Sequence, residues 1–167
     1  GGITQYSGGG FYRSNAWGYI NVEANGIEAD VRVVAGTARY EYAQIGHGGY
    51  YFSGADYSSQ YLGGDITVKA NGNLVIEAAG RVVEKGDAAS GIRANYAMVG
   101  HGGYFTQTML KTGDIKVVVG GDLTVTGGAY GGNFAQIGHG GLESYGQIGG
   151  DFNRTVNIPD INGVMQP

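Results

Sequence analysis

Apolar and polar residues alternate in short bursts along this chain. One burst is Gly64-Asp65-Ile66-Thr67-Val68-Lys69-Ala70, followed by Asn73-Leu74-Val75-Ile76-Glu77-Ala78. A second pair is Gly113-Asp114-Ile115-Lys116-Val117-Val118-Val119 and Gly121-Asp122-Leu123-Thr124-Val125-Thr126. Related bursts occur at 18–24, 30–35 and 150–153. Each is rich in Val and Ile, has apolar residues two apart, and closes on Gly, Asn or Asp. That is the period-two signature of a β-strand bounded by turns. No stretch carries a helical stripe. The segment 84–97 comes nearest, but Gly86 and Gly91 interrupt it.

Between the bursts a second segment recurs. Tyr42-Ala43-Gln44-Ile45-Gly46-His47-Gly48-Gly49 returns as Tyr96-Ala97-Met98-Val99-Gly100-His101-Gly102-Gly103. It returns again as Phe134-Ala135-Gln136-Ile137-Gly138-His139-Gly140-Gly141. Similarity at all eight positions marks an internal repeat. The spacing between copies varies. Repeat architectures that stack absorb such variation as loops, whereas a propeller or sandwich does not.

Composition sharpens this picture. Of 167 residues 35 are Gly, 2 are Pro and none is Cys. Gly supplies corners with positive φ, and scarce Pro leaves every N–H for a strand ladder. Without Cys there is no disulfide framework and no thiolate chemistry, which fits a secreted bacterial chain and a cytosolic one equally. A net charge of −4 argues against a nucleic-acid partner. No apolar run is long enough for a transmembrane helix, so no membrane insertion is expected.

Together these features predict an all-β fold, a right-handed parallel β-helix of about six to eight coils, each of roughly 18–27 residues. Residues 1–167 form one domain, either a fragment or processed segment of a longer protein or the subunit of a fibre. Ile66, Val68, Leu74, Ile76, Ile115, Val117, Leu123 and Val125 should face inward. Thr67, Lys69, Lys116 and Thr124 should face out. Asp65, Asp114, Asp122 and Asp151 should make side-chain turn bonds at strand entries.

The pattern Gly-Asp-Ile-Thr-Val-x-Ala-x-Gly-x-Leu-x-Ile-x-Ala-Gly at 64–80 resembles the repeats of filamentous-haemagglutinin-like and autotransporter passenger proteins. The likeness covers about residues 18–158. It implies a right-handed β-helical shaft on a large secreted bacterial surface protein, with a filament or adhesin role. It implies no catalytic residue.

Candidate chemistry centres on His47, His101 and His139. Three readings are open: repeated turn residues that cap strand ends, metal or ligand binding, and a pH-sensitive contact. If one repeat spans two coils, equivalent rings lie about 9.6 Å apart and cannot share an ion; if it spans one, they lie about 4.8 Å apart. No cofactor and no metal are expected. The aromatic residues Tyr50, Tyr51, Tyr57, Tyr61, Tyr104 and Phe105 lie in or beside the loops after the repeated segment. They form either an exposed row that stacks on sugars or partner proteins, or a buried stack. The carboxylates recur at turn positions and do not pair as acid and base.

The expected function is therefore non-enzymatic: an extracellular, cell-surface structural or adhesive β-solenoid. Its expected partner is itself, by end-to-end stacking or covalent continuation, with glycans or host and cell-surface proteins as further partners. A carbohydrate-binding module built on the Tyr loops is the alternative. A polysaccharide-degrading β-helix enzyme comes third.

Overall fold

Alternation along each strand gives it one apolar face, and that face can be buried only against another layer. The chain meets this demand by laying each burst beside its own repeat. The computed structural model describes residues 15–37, 40–52, 60–78, 94–129 and 132–148. Among them are thirteen strands and no helix.

The strands fall into four parallel sheets visited in a fixed order. The first sheet holds β1 (Ala16–Trp17), β5 (Tyr61–Gly63), β9 (Gln107–Thr112) and β13 (Tyr145–Ile148). The second holds β2 (Ile20–Ala24), β6 (Ile66–Ala70) and β10 (Ile115–Val119). The third holds β3 (Val31–Val34), β7 (Leu74–Glu77) and β11 (Leu123–Thr126). The fourth holds β4 (Tyr42–Ile45), β8 (Tyr96–Val99) and β12 (Phe134–Ile137). Four strands thus make one layer. The described residues form three layers and the first strand of a fourth.

The register is like over like. Ile20, Ile66 and Ile115 stack, as do Val31, Leu74 and Leu123. The repeated segment stacks as Tyr42, Tyr96 and Phe134. Successive histidines are therefore 54 and 38 residues apart in sequence but one layer apart in space. This corrects the expected coil. A repeat makes one large layer, not two small coils of 18–27 residues, so six to eight coils do not fit in the chain. The physical reason is pairing: each burst finds its best-matched edge only on the next repeat.

The core lies in the middle layer. Ile66, Val68, Leu74, Ile76, Ala97 and Val99 are fully buried, with Val33 beside them. Each buried Val, Leu or Ile among them contributes about 1.5–3 kcal/mol. Ile115 and Val117, expected inside, are half-buried. Leu123 and Val125 are 50 % and 44 % exposed. They share columns with the fully buried Leu74 and Ile76. Their exposure follows from position in the last layer of the described residues and not from a reversed face. Thr67 and Lys69 are half-buried on the outer face, while Lys116 and Thr124 are exposed as expected.

The acidic corners also differ from expectation. Asp65 Oδ1 accepts the N–H of Asp114, one layer on, at 2.9 Å. At Asp65 the bond runs along the stack between layers instead of closing a local turn. Asp151 lies outside the described residues.

Two substitutions in β7 test the facing. Leu74→Ala should destabilise by about 3 kcal/mol through lost burial and a residual cavity. Val75→Ala, on the other face, should cost about 1 kcal/mol. Urea unfolding of both variants checks this, and equal losses would contradict the assigned face.

Candidate functional site: the stacked histidine corners

Each histidine sits at the corner that follows a fourth-sheet strand, between glycines. Gly102 has φ +126°, and a Cβ there would run into the Gly140 carbonyl of the next layer. The corner glycines therefore allow adjacent layers to approach at backbone distance. Bonds through the corner confirm the approach: Gly102 N–H donates to His47 O at 2.9 Å, and Gly140 N–H to His101 O at 2.8 Å.

The imidazole rings form a tower. His47 and His101 stack with centroids 5.0 Å apart and planes 8° apart; His101 and His139 stack at 4.8 Å and 4°. Spacing is that of one layer per repeat. His101 Nδ1 accepts the backbone N–H of His47 at 3.0 Å, and His139 Nδ1 accepts that of His101 at 3.0 Å. The other nitrogen reaches across its own layer. Nε2 of His47, His101 and His139 meets the carbonyls of Gly18, Gly64 and Gly113 at 3.1, 2.7 and 3.0 Å. A carbonyl accepts, so Nε2 carries the proton. Nδ1 takes an N–H, so it carries none.

This places each ring as a crossbar between the fourth-sheet corner and the corner entering the second sheet. Gly64, with φ +111°, is glycine for the same reason as Gly102: a Cβ would strike the Gly18 carbonyl. His101 is fully buried. Burial holds its imidazole down at about 4, from an ordinary 6.5; the neighbouring His139 and His47 push the same way, against the Gly64 carbonyl and Asp65. Both nitrogens of His101 and His139 are spent on backbone groups and the rings lie face to face, so their lone pairs do not converge on one point. Among the described residues no group of three His, Asp or Glu is placed to hold a metal ion.

The aromatic residues form parallel rows. Tyr42, Tyr96 and Phe134 stack at 4.9 Å intervals, with Tyr96 fully buried. Burial raises the Tyr96 phenol well above its usual range. Beyond the corner, Tyr50 stacks on Tyr104 at 5.4 Å and Tyr51 on Phe105 at 4.7 Å. Tyr51 is 59 % exposed. Each row is two rings deep, so Tyr104 and Phe105 cover one face of Tyr50 and Tyr51. Tyr61 lies apart on β5, its hydroxyl donating to Met109 Sδ at 3.3 Å. Tyr57 lies outside the described residues. In the third layer Leu142 and Glu143 take the places of the aromatic pair, and both rows stop.

Asn95 and Lys111 are among the buried polar residues that escaped the sequence reading. Asn95 Oδ1 accepts the N–H of Glu41 at 3.2 Å, and its Nδ2 donates to Gly36 O at 3.0 Å. Its own N–H donates to Asn133 Oδ1 at 3.1 Å. The Asn that precedes the aromatic residue in two copies was the available signal. Lys111 is fully buried in the column of Ala16, Leu62 and Ile148. Its Nζ donates to Tyr145 O at 2.6 Å, and burial lowers its ammonium to about 8. No pattern marks a lysine in an aliphatic column.

No family model, curated protein or solved structure matches the chain. What the corners do must be read from their geometry.

The tower predicts a pH response. Unfolded His101 binds a proton near 6.5, whereas in the fold it resists protonation until about 4. Its contribution is complete above 6.5 and is lost as pH falls towards 4, because there the unfolded state binds more protons. The urea midpoint should fall between pH 6.5 and 5, where the carboxylates are still ionised. A His101→Gln chain, lacking the titrating ring, should show a shallower fall over that range. An unchanged slope would remove His101 as its source.

Proposed function

We propose that this chain is a non-enzymatic segment of an extracellular, cell-surface β-solenoid. In this reading the four sheets close into a right-handed parallel β-helix that serves as a stiff shaft or fibre-forming unit, with an adhesive or structural role. One observation carries the proposal: the axial ladders of backbone, imidazole, aromatic and Asn groups run in register through all three layers. Stretching or bending such a stack must break several of these bonds at once, which makes it stiff. In the middle layer the histidine, the tyrosine and the backbone of the repeated segment all hold layer to layer.

The proposal keeps the likeness to filamentous-haemagglutinin-like shafts and the bacterial surface location that goes with it. A carbohydrate-binding role draws support from the exposed Tyr50 and Tyr51. Sugar rings stack on aromatic faces, and here Tyr104 and Phe105 cover one face of each.

Electron microscopy and sedimentation of the purified chain over a range of concentrations test the reading. Rods or filaments that lengthen with concentration are expected. Single particles that bind glycans, with binding lost in Tyr51→Ala, would replace it with the carbohydrate reading.

A further inference from the structure

The side-chain ladders have a direction. In the histidine tower the N–H of one layer donates to the ring of the next, His47 to His101 and His101 to His139. The series ends on a donor, the His139 N–H, and begins on an acceptor, His47 Nδ1. The corner entering the third sheet runs the opposite way. Asn73 N–H donates to Asp30 Oδ1 at 2.7 Å, and Asp122 N–H to Asn73 Oδ1 at 2.8 Å. This ladder leaves the Asp122 carboxylate at the third-layer end and the Asp30 N–H at the first-layer end. Among the described residues no strand lies outside β10, β11 and β12, nor outside β2, β3 and β4. Both ends also carry exposed apolar groups, Leu123 and Val125 at one and Tyr42 at the other.

We infer that a second copy of this chain docks head to tail, its β3 and β4 seating on β11 and β12 of the first. His139 N–H then donates to the His47 ring of the arriving copy, and Asp122 accepts its Asp30 N–H. The inference rests on the fibre reading and deepens it by fixing polarity and register. The head-to-tail seat joins each corner to its own counterpart, donor on acceptor, in the register the layers already use within one chain. Such a heterologous contact propagates without closing.

The seat has a definite register. Val31 lies on Leu123, Val33 on Val125, Tyr42 on Phe134 and His47 on His139, each continuing a column already present within one chain. Open strand edges gain partners in the same step. At the first sheet, β13 already lies beyond β9, and Ile148 occupies the column of Ala16, Leu62 and Lys111. There β13 supplies the strand of the junction layer and the two-residue β1 of the arriving copy gives way.

Cysteine pairing tests polarity directly, because the chain has no Cys of its own. Arg32, Val75 and Thr124 form one outward column, so Arg32 and Thr124 lie two layers apart within a chain. Across the proposed junction they become neighbours, within the Cα separation a disulfide spans. Arg32→Cys and Thr124→Cys chains are mixed in equal amounts, oxidised mildly and separated without reductant. The mixed disulfide dimer should exceed either same-variant dimer about tenfold. Same-variant dimers in equal or greater amount overturn the polarity; if filaments are present in that sample, the fibre reading stands without it. No crosslink and no filament overturns both. A sedimenting monomer whose β11 amides are nonetheless protected from hydrogen exchange also overturns the docking, since the chain then covers its own edge.

Discussion

The described strands answer to one constraint: each residue lies about 4.8 Å from its counterpart in the next layer. A side chain is admitted only if it tolerates a near copy of itself at that distance. Aliphatic groups do so by dispersion and burial. Aromatic rings do so by stacking. Asn does so because its carbonyl accepts the N–H of the neighbouring layer. Imidazole does so with one nitrogen donating across its layer and, at His101 and His139, the other accepting from the layer beside it. Charged columns on the outer face include both mixed and like pairs, Asp65 and Asp114 among the latter. Glu23 pairs in register with Lys69, and its carboxyl is held low by Asn25 and Asn21, then by Lys69. Asn73 separates Asp30 from Asp122.

The same constraint explains which parts of the fold were legible in the sequence. A burst such as 66–70 declares its strand and its buried face, because alternation is a local property. The repeated segment declares that layers exist, because stacking demands likeness. Layer size was not legible. Spacings of 54 and 38 residues suit one large turn or two small ones, and only pairing chooses. The exposure of Leu123 was hidden for a related reason: its sequence context matches that of Leu74, and the difference is how many layers lie beyond it. Turn bonds were misplaced at Asp65 because an Asx pattern reads the same whether its partner is two residues away or one layer away.

The histidines show how far local reading reaches. Three copies between glycines announced an architectural role beside the chemical ones, yet nothing local named Gly18, Gly64 and Gly113 as the carbonyls they span to. That relation crosses the layer and joins two motifs the sequence keeps apart. Lys111 shows the limit on the other side. It fills a column of Ala, Leu and Ile with a long stem whose ammonium finds the Tyr145 carbonyl, and a composition-based reading places lysine outside.

The seven residues 100–106 and 138–144 join the fourth sheet to the first with the same backbone pairing. The connection from β7 to β8 is far longer than that from β11 to β12, yet both pairs of strands keep register. A layer is thus a self-matching module whose top fits its bottom. Tandem duplication of the coding segment for one layer would lengthen the molecule without inventing an interface, and deletion of one would shorten it without exposing a new kind of surface. For a lineage carrying such a gene, length is a freely heritable trait, while the sequence of any one corner is not.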